Sequence, residues 1–345
     1  MPSPVTRRSA RRRRPPVPDP TTSPVLEVSD LQVSVGDHLV AVHDVSFSIG
    51  RGESVGLVGE SGSGKTLTCR AALGLLPKTG EVDHGRIVLG GTELTGATRR
   101  TWNDVRGTRL GAVFQDSASY LNPSLTVGHQ LAEQLRVKRG LSRTDAHRRA
   151  VELFAEVGLH DPEGVFHQYP HELSGGMQQR VLIAIAVSCE PELLIADEAT
   201  TALDVVIQAE ILDLLDRLRE SHGLSLLLVT HDLAVVAETC ERILVMYAGE
   251  IVESGTTEEV LARPRHPYTQ ALMGVATIGT WERRALEIIP GQPPSVGEDM
   301  PGCRFAPRCR FATEVCTSGP VALADLGEGR AARCARIDDL EGAPA

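Results

Sequence analysis

The chain of 345 residues is 41% hydrophobic and 23% charged, enough apolar side chain to bury a sizeable core and to exclude a mainly disordered protein. Its formal charge is −10, and because residues 1–24 hold six arginines against one aspartate, the remainder stands at −15, which argues against a broad nucleic-acid footprint. No apolar run approaches the roughly 18 residues that span a bilayer, so any membrane role is expected to be peripheral.

Residues 1–24 read as a solvated, proline-rich basic tail, with attraction to anionic lipid as its alternative use. No apolar stretch follows the arginines, so neither a secretory nor a twin-arginine signal is supported. Leu26, Val28, Leu31, Val33 and Val35 predict a strand, and Val42–Ile49 a second. Ser54–Val58 is an apolar run feeding a Gly-rich turn, followed by a predicted helix, Thr66–Leu76, ended by Pro77. Ile87–Leu89 and Gly111–Phe114 are further strand candidates, and residues 125–160 are more helical. Leu193–Ala196 reads as a short buried strand. Ile207, Ile211, Leu214, Leu215 and Leu218 mark one face of an amphipathic helix. Leu224–Val229 and Ile243–Tyr247 are the next strands. Strands alternating with helices imply a mainly parallel sheet covered on both faces. Beyond about Arg263 the chain turns rich in Pro, Gly and Cys, which marks an appendage.

Gly59-Glu60-Ser61-Gly62-Ser63-Gly64-Lys65-Thr66 fits the pattern G-x4-G-K-[ST] between a predicted strand and a helix. Glycines allow successive backbone N–H groups to turn inward around anionic oxygens, and the helix N-terminus adds a positive dipole end. Lys65 can then reach the β- and γ-phosphates and the Thr66 hydroxyl can ligate Mg²⁺. The motif alone leaves kinases, GTPases and motor ATPases open. Asp197 and Glu198 end the apolar strand that begins at Leu193, where a parallel sheet presents its ligand crevice. Asp197 is expected beside Mg²⁺, and Glu198 near the γ-phosphate as general base for an attacking water. His231 closes another apolar strand and is placed to hydrogen-bond the γ-phosphate.

Leu173-Ser174-Gly175-Gly176-Met177-Gln178-Gln179-Arg180 narrows the class. Ser174-Gly175-Gly176 would open a helix whose free N–H groups form a second anion site. Together with Gly59–Thr66, Gln115, Leu193–Glu198, Asp204 and His231 in this order, this run resembles the signature of the ATP-binding cassette (ABC) ATPases, over about residues 25–262. The resemblance implies an α/β P-loop cassette: a mainly parallel sheet core, an antiparallel β subdomain and a helical signature subdomain at about 117–190. It also implies a head-to-tail dimer, in which Ser174, Gly175, Gly176 and Gln178 of one subunit cover the ATP held by Gly59, Ser61, Gly62, Ser63, Gly64, Lys65 and Thr66 of the other. By the same likeness Gln115 touches Mg²⁺ and the attacking water, and Asp204 lies at the seam. Two departures stand out: Val35 falls where the family stacks an aromatic on adenine, and Ser117 where near relatives carry Pro.

Tyr169-Pro170-His171-Glu172, His266-Pro267-Tyr268-Thr269, Ile289-Pro290-Gly291 and Gly302-Cys303-Arg304-Phe305-Ala306-Pro307-Arg308-Cys309 look like the peptide and nickel importer branch of that family. The implied division is a tail at 1–24, a cassette at 25–262 and a C-terminal extension at 263–345. The implied partners are two membrane permeases, an extracytoplasmic solute-binding protein and a second ATP-binding subunit, a heterodimer being favoured, with no nucleic acid. The implied place is the cytoplasmic face of the membrane. The alternatives are the same machinery importing nickel or another solute, a soluble cassette protein of translation or DNA repair, and a P-loop phosphotransferase. Soluble cassette proteins normally carry two cassettes or a long coiled-coil insertion, and a phosphotransferase has no use for the Leu173–Arg180 run.

Seven cysteines is an odd number, and Cys69, Cys189 and Cys240 lie scattered in apolar surroundings, unlike a secreted disulfide scaffold. The other four, Cys303, Cys309, Cys316 and Cys334, crowd into the last 43 residues with the spacing C-x5-C-x6-C-x17-C. That is wider than common zinc knuckles, whereas four thiolates suit a [4Fe–4S] cluster, with Zn²⁺ or unliganded thiols as the alternatives. Arg304, Arg308, Arg310, Arg330, Arg333 and Arg336 lie among them and could offset a cluster's negative charge.

Overall fold

The computed structural model describes residues 23–115, 117–199, 204–275 and 289–340. Residues 1–22 of the basic tail expected at 1–24 lie outside the described residues, as do 116, 200–203, 276–288 and 341–345. In chain order the elements begin β1 (Leu26–Val35), β2 (Leu39–Ile49), β3 (Ser54–Val58), α1 (Lys65–Leu73), β4 (Gly80–Leu89), β5 (Thr92–Glu93), α2 (Arg99–Val105) and β6 (Leu110–Phe114). Five helices follow: α3 (Ser117–Tyr120), α4 (Val127–Arg139), α5 (Arg143–Glu156), α6 (Pro162–Phe166) and α7 (Gly175–Val187). The chain continues through β7 (Leu193–Asp197), α8 (Val205–His222), β8 (Ser225–Thr230), α9 (Leu233–Thr239), β9 (Arg242–Tyr247) and β10 (Glu250–Thr256). Last come α10 (Thr257–Ala262), α11 (Pro267–Val275), β11 (Ala324–Gly327) and β12 (Arg330–Ala332).

The main sheet has the order β11-β12-β10-β9-β3-β8-β7-β6, parallel from β9 to β6 and antiparallel beyond β9. A second, antiparallel sheet is ordered β2-β1-β4-β5. β3, β7 and β8 are buried along their whole lengths, which is why they read as unbroken apolar runs: both faces are covered, so neither tolerates polarity. Alternate side chains serve alternate cores. Leu57 and Ile195 join the cluster formed with α1 and the antiparallel sheet, while Val58, Leu194 and Ala196 join the cluster formed with α4, α5, α7 and α8. The parallel strands therefore all end at one edge, and the loops after β3, β6, β7 and β8 gather there.

Several boundaries moved. The first helix stops at Leu73 rather than Leu76, because Gly74 takes a left-handed cap with φ of 60° and its N–H returns to the Ala71 carbonyl. Ile87–Leu89 is only the buried end of β4, whose first seven residues are mostly exposed and carry no apolar pattern. β10, β11 and β12 went unread. β12, from the cysteine-rich extension, pairs Ala331 and Ala332 with Ser254 and Glu253, so the extension adds strands to the cassette's own sheet.

Candidate nucleotide site

The loop after β3 is shaped by close approach. A Cβ on Gly59 would sit 2.1 Å from the Met246 carbonyl oxygen, so only glycine lets the loop pass over β9. Gly64 caps α1 with φ of 103°, a conformation an L side chain resists. Lys65 is 4% exposed and curls back over the loop, its Nζ donating to the carbonyls of Gly59 at 2.8 Å and Glu60 at 2.9 Å. A third, longer contact reaches Ser63 Oγ at 3.4 Å. Burial lowers the Lys65 pKa, while Glu198 and Asp197 pull it back up. The ammonium is thus held in an anion-shaped cup by groups that a phosphate can replace.

The parallel register brings the acidic strand end to that cup. Thr66 Oγ1 donates to Asp197 Oδ1 at 3.3 Å. Asp197 is buried, which pushes its pKa up; the Thr66 hydrogen bond opposes this and the neighbouring Glu198 charge adds to it. Glu198 has a positive φ of 49°, unusual for a residue with a side chain, and its N–H donates to the Val229 carbonyl at 2.9 Å. That pins the start of the loop after β7 to the end of β8. It also sets Glu198 Oε1 3.5 Å from His231 Nδ1. Gln115 stands exposed just beyond β6, whose last residue Phe114 pairs with Asp197. The structure therefore brings Lys65, Thr66, Asp197, Glu198, Gln115 and His231 to one sheet edge.

The signature residues sit elsewhere on the chain surface. Ser174 caps α7 by accepting from the Met177 N–H at 3.4 Å, leaving Ser174 and Gly175 exposed. Gln178 turns its amide inward, donating to the carbonyls of Pro170 at 2.7 Å and Leu173 at 3.2 Å, and so ties the approach segment to the helix it enters. Asp204 caps α8, its Oδ1 accepting from Val206 at 3.1 Å and Ile207 at 3.0 Å. The two helices meet where a Cβ on Gly176 would lie 3.0 Å from Ile207 Cγ2. Beside that contact Val205 and Val206 are 81% and 68% exposed, an apolar pair the sequence reading overlooked because it looked only at the buried stripe of α8.

In the extension the four cysteines line one small cavity with Phe305, Phe311 and His266. All are free thiols. Cys303 is pushed up to about 11 by burial; the Phe305 N–H opposes this and the other three thiols add to it. Burial likewise raises Cys309 and Cys334. Among the described residues, three ligand atoms all within 4.8 Å of one another occur in one group, His147, Glu163 and His167 of the helical region. No three of the four thiols form such a group, whereas tetrahedral Zn–S bonds of about 2.3 Å put sulfurs about 3.8 Å apart. Of the arginines expected to offset a cluster, Arg310 and Arg336 act on Cys309 and Arg336 on Cys334. Arg308 and Arg330 are instead committed to Glu60 and Glu253. Sequence reasoning also missed Glu60, Tyr268 and Arg308 as a group, since 208 or more residues separate Glu60 from the other two.

A family model described as ABC transporter matches residues 42–201, and one described as the oligopeptide/dipeptide transporter C-terminal region matches residues 252–316. The chain is 42% identical over 323 residues to the dipeptide transport ATP-binding protein DppD of Escherichia coli, covering 93% of this chain and 99% of that protein. It is 43% identical over 316 residues to the oligopeptide transport ATP-binding protein AppD of Bacillus subtilis, covering 90% and 96%. The solved dimeric structure of MJ0796, a bacterial ABC transporter cassette, matches with a TM-score of 0.60 and 29% identity over 67% of this chain and 98% of that one. CbiO1 from Clostridium perfringens, part of the ABC transporter complex cbiONQ, matches with a TM-score of 0.61 and 27% identity over 70% and 92%. With the phosphate loop, the acidic strand end and the capped signature helix in place, and with kinship along nearly its whole length, the chain belongs to the ATP-binding subunits of ABC transporters, in the branch bearing the oligopeptide/dipeptide C-terminal region.

Proposed function

We propose that this chain hydrolyses ATP to energise the import of peptides, through closure and reopening of a dimer of ATP-binding subunits. The observation that carries the reading is the convergence of Lys65, Thr66, Asp197, Glu198 and His231 at one sheet edge. The N–H groups of residues 59–66 and the Lys65 ammonium bind the β- and γ-phosphates. Thr66, Gln115 and Asp197 would hold Mg²⁺, which would supply neutralisation of the phosphate charge. Glu198 accepts a proton from the attacking water, and His231 orients the γ-phosphate while lying within reach of Glu198. The exposed Ser174 and Gly175 at the head of α7 supply the partner subunit's phosphate contact, and Asp204 lies at that seam. Exposed Val205 and Val206 beside them support a face that is covered when two subunits close.

The relatives' names support peptide cargo. No helix among the described residues is long and apolar enough to cross a membrane, so separate permeases would form the pathway, with a solute-binding protein delivering cargo. A second, distinct ATP-binding subunit is favoured as the dimer partner, and the complex would sit at the cytoplasmic face. Four thiols lining one cavity support a [4Fe–4S] cluster, and burial raises the pKa of three of them, Cys303, Cys309 and Cys334, so that a bound cation would favour their ionised form. Iron and sulfide analysis with absorption near 400 nm on anaerobically purified protein tests this assignment; a colourless, iron-free protein overturns it. Reconstitution with its permeases tests the main reading: peptide-dependent ATP turnover is the expected result, and turnover indifferent to every peptide offered refutes the cargo.

A further inference from the structure

One residue of the phosphate loop is gripped from three sides. The Glu60 carbonyl accepts from Lys65 Nζ at 2.9 Å, inside the cup. Its N–H donates to the Tyr268 hydroxyl at 2.8 Å, and its carboxylate takes a two-pronged pair from Arg308, Nη1 to Oε2 at 2.7 Å and Nη2 to Oε1 at 3.1 Å. Both outside partners belong to the extension, more than 200 residues along the chain. They are not surface decoration. Tyr268 is fully buried, and the Arg308 side chain is 3% exposed. The remaining Arg308 donors are also placed: Nε to the Pro290 carbonyl at 3.0 Å, Nη2 to the Ile289 carbonyl at 3.1 Å, and Nη1 to the Tyr247 hydroxyl at 3.3 Å. Tyr247, Tyr268 and Phe305 pack as a ring cluster with centroids 4.6–5.4 Å apart, which leaves the guanidinium little freedom to move.

We propose that Arg308 and Tyr268 of the C-terminal extension are positioning residues for the phosphate loop, setting nucleotide affinity from outside the cassette. This rests on the nucleotide reading above and goes beyond it by giving the extension a part in ATP binding. Two physical effects act together. A bidentate guanidinium–carboxylate pair fixes orientation as well as distance, so it holds the Glu60 peptide, and with it the Lys65 carbonyl contact, in one geometry. It also neutralises a carboxylate that stands in a loop built to receive phosphates, where an unpaired negative charge would repel them. The Arg308 turn is strung between Cys303 and Cys309, with Arg308 next to Cys309, so the thiol site and the phosphate loop share one short piece of chain.

The test is equilibrium binding of a fluorescent ATP analogue to the full chain, with thermal denaturation as a fold control. Arg308→Ala is expected to raise Kd about tenfold, within the range of couplings between contacting residues. Arg308→Lys restores the charge without the fork and should recover only part of the loss. Tyr268→Phe removes the acceptor of the Glu60 N–H and should weaken binding by about threefold, at the low end of that range. Glu60→Gln placed on the Arg308→Ala background should recover affinity, since the repelling charge is gone. A merely structural role would lower the melting temperature and leave Kd unchanged, with nothing for Glu60→Gln to rescue. Folded Arg308→Ala with wild-type Kd overturns the inference. Should Arg308→Ala fail to fold, Arg308→Lys and Tyr268→Phe decide: wild-type Kd in both overturns it equally. Wild-type protein that binds no nucleotide at all would instead refute the nucleotide reading.

Discussion

Asp197→Asn should make the nucleotide-free protein more stable while weakening its grip on magnesium nucleotide. Asp197 is 5% exposed, and its one hydrogen bond of note, from Thr66, is long at 3.3 Å. Burial raises its pKa above 3.8 and the adjoining Glu198 charge adds to the rise, so the Thr66 bond, Arg70 and Lys65 do not fully compensate the buried charge. A group whose folded pKa exceeds its unfolded value disfavours the ionised fold. The penalty is absent well below pH 3.8 and complete once pH exceeds the raised folded value, so it operates at neutrality. Asparagine keeps the shape and an acceptor for Thr66 but removes the charge. Relief of such strained polar groups at functional sites is typically worth about 0.5–2 kcal/mol. A gain of about 1 kcal/mol corresponds to a rise of about 2–4 °C in Tm. The assay is thermal denaturation at pH 7.5 in EDTA, then with MgATP in excess. Wild type at one hundred times its Kd gains about 2.7 kcal/mol from ligand, so the ranking of the two proteins should invert when MgATP is added. At acid pH, as Asp197 itself protonates, the gap in EDTA should close. A variant less stable than wild type in EDTA at neutral pH would refute the argument, because it would mean the carboxylate is well compensated without a metal.

Glu198→Gln should bind ATP and form the closed dimer yet hydrolyse about 10²–10⁴ times more slowly, the usual loss when a general base is removed; single-turnover kinetics at the wild-type rate would exclude the assigned role. Lys65→Ala should abolish detectable nucleotide binding, because the phosphates lose the charge that the cup holds in waiting; calorimetry showing near-normal affinity would refute it. Ser174→Arg should leave the monomer folded, since Ser174 is exposed, but prevent ATP-driven dimerisation; an unchanged shift in elution volume with MgATP would count against the two-subunit site. Gly59→Ala should destabilise the loop and reduce ATP affinity together, as its Cβ would meet the Met246 carbonyl oxygen at 2.1 Å; wild-type stability by denaturant melts would show that β9 yields more easily than its packing implies.

Local chemistry was the part of this protein legible in its residues. Gly59–Thr66 announces a phosphate loop because glycine, lysine and threonine at those intervals answer to the geometry of a triphosphate and not to the rest of the fold. The fully buried β3, β7 and β8 were equally plain, since a strand covered on both faces can hold little but apolar side chains. Half-exposed β4 and the strands of the extension were not, because β4 and β12 dock on strands distant in sequence and the side chains of β4, β11 and β12 carry no period of their own. The same limit governs the site. Asp197 and Glu198 could be placed at a strand end from composition, but the Glu198–Val229 hydrogen bond that sets Glu198 within 3.5 Å of His231 exists only once β7 lies beside β8. Arg308 lay in a run read for its cysteines, and nothing local distinguished it from Arg310. Only the folding of the extension back onto the cassette could reveal that one guanidinium pairs with Glu60 of the phosphate loop while the other lies over the Phe311 ring. Charge pairing over 248 residues has no sequence period, so tertiary packing alone decides it.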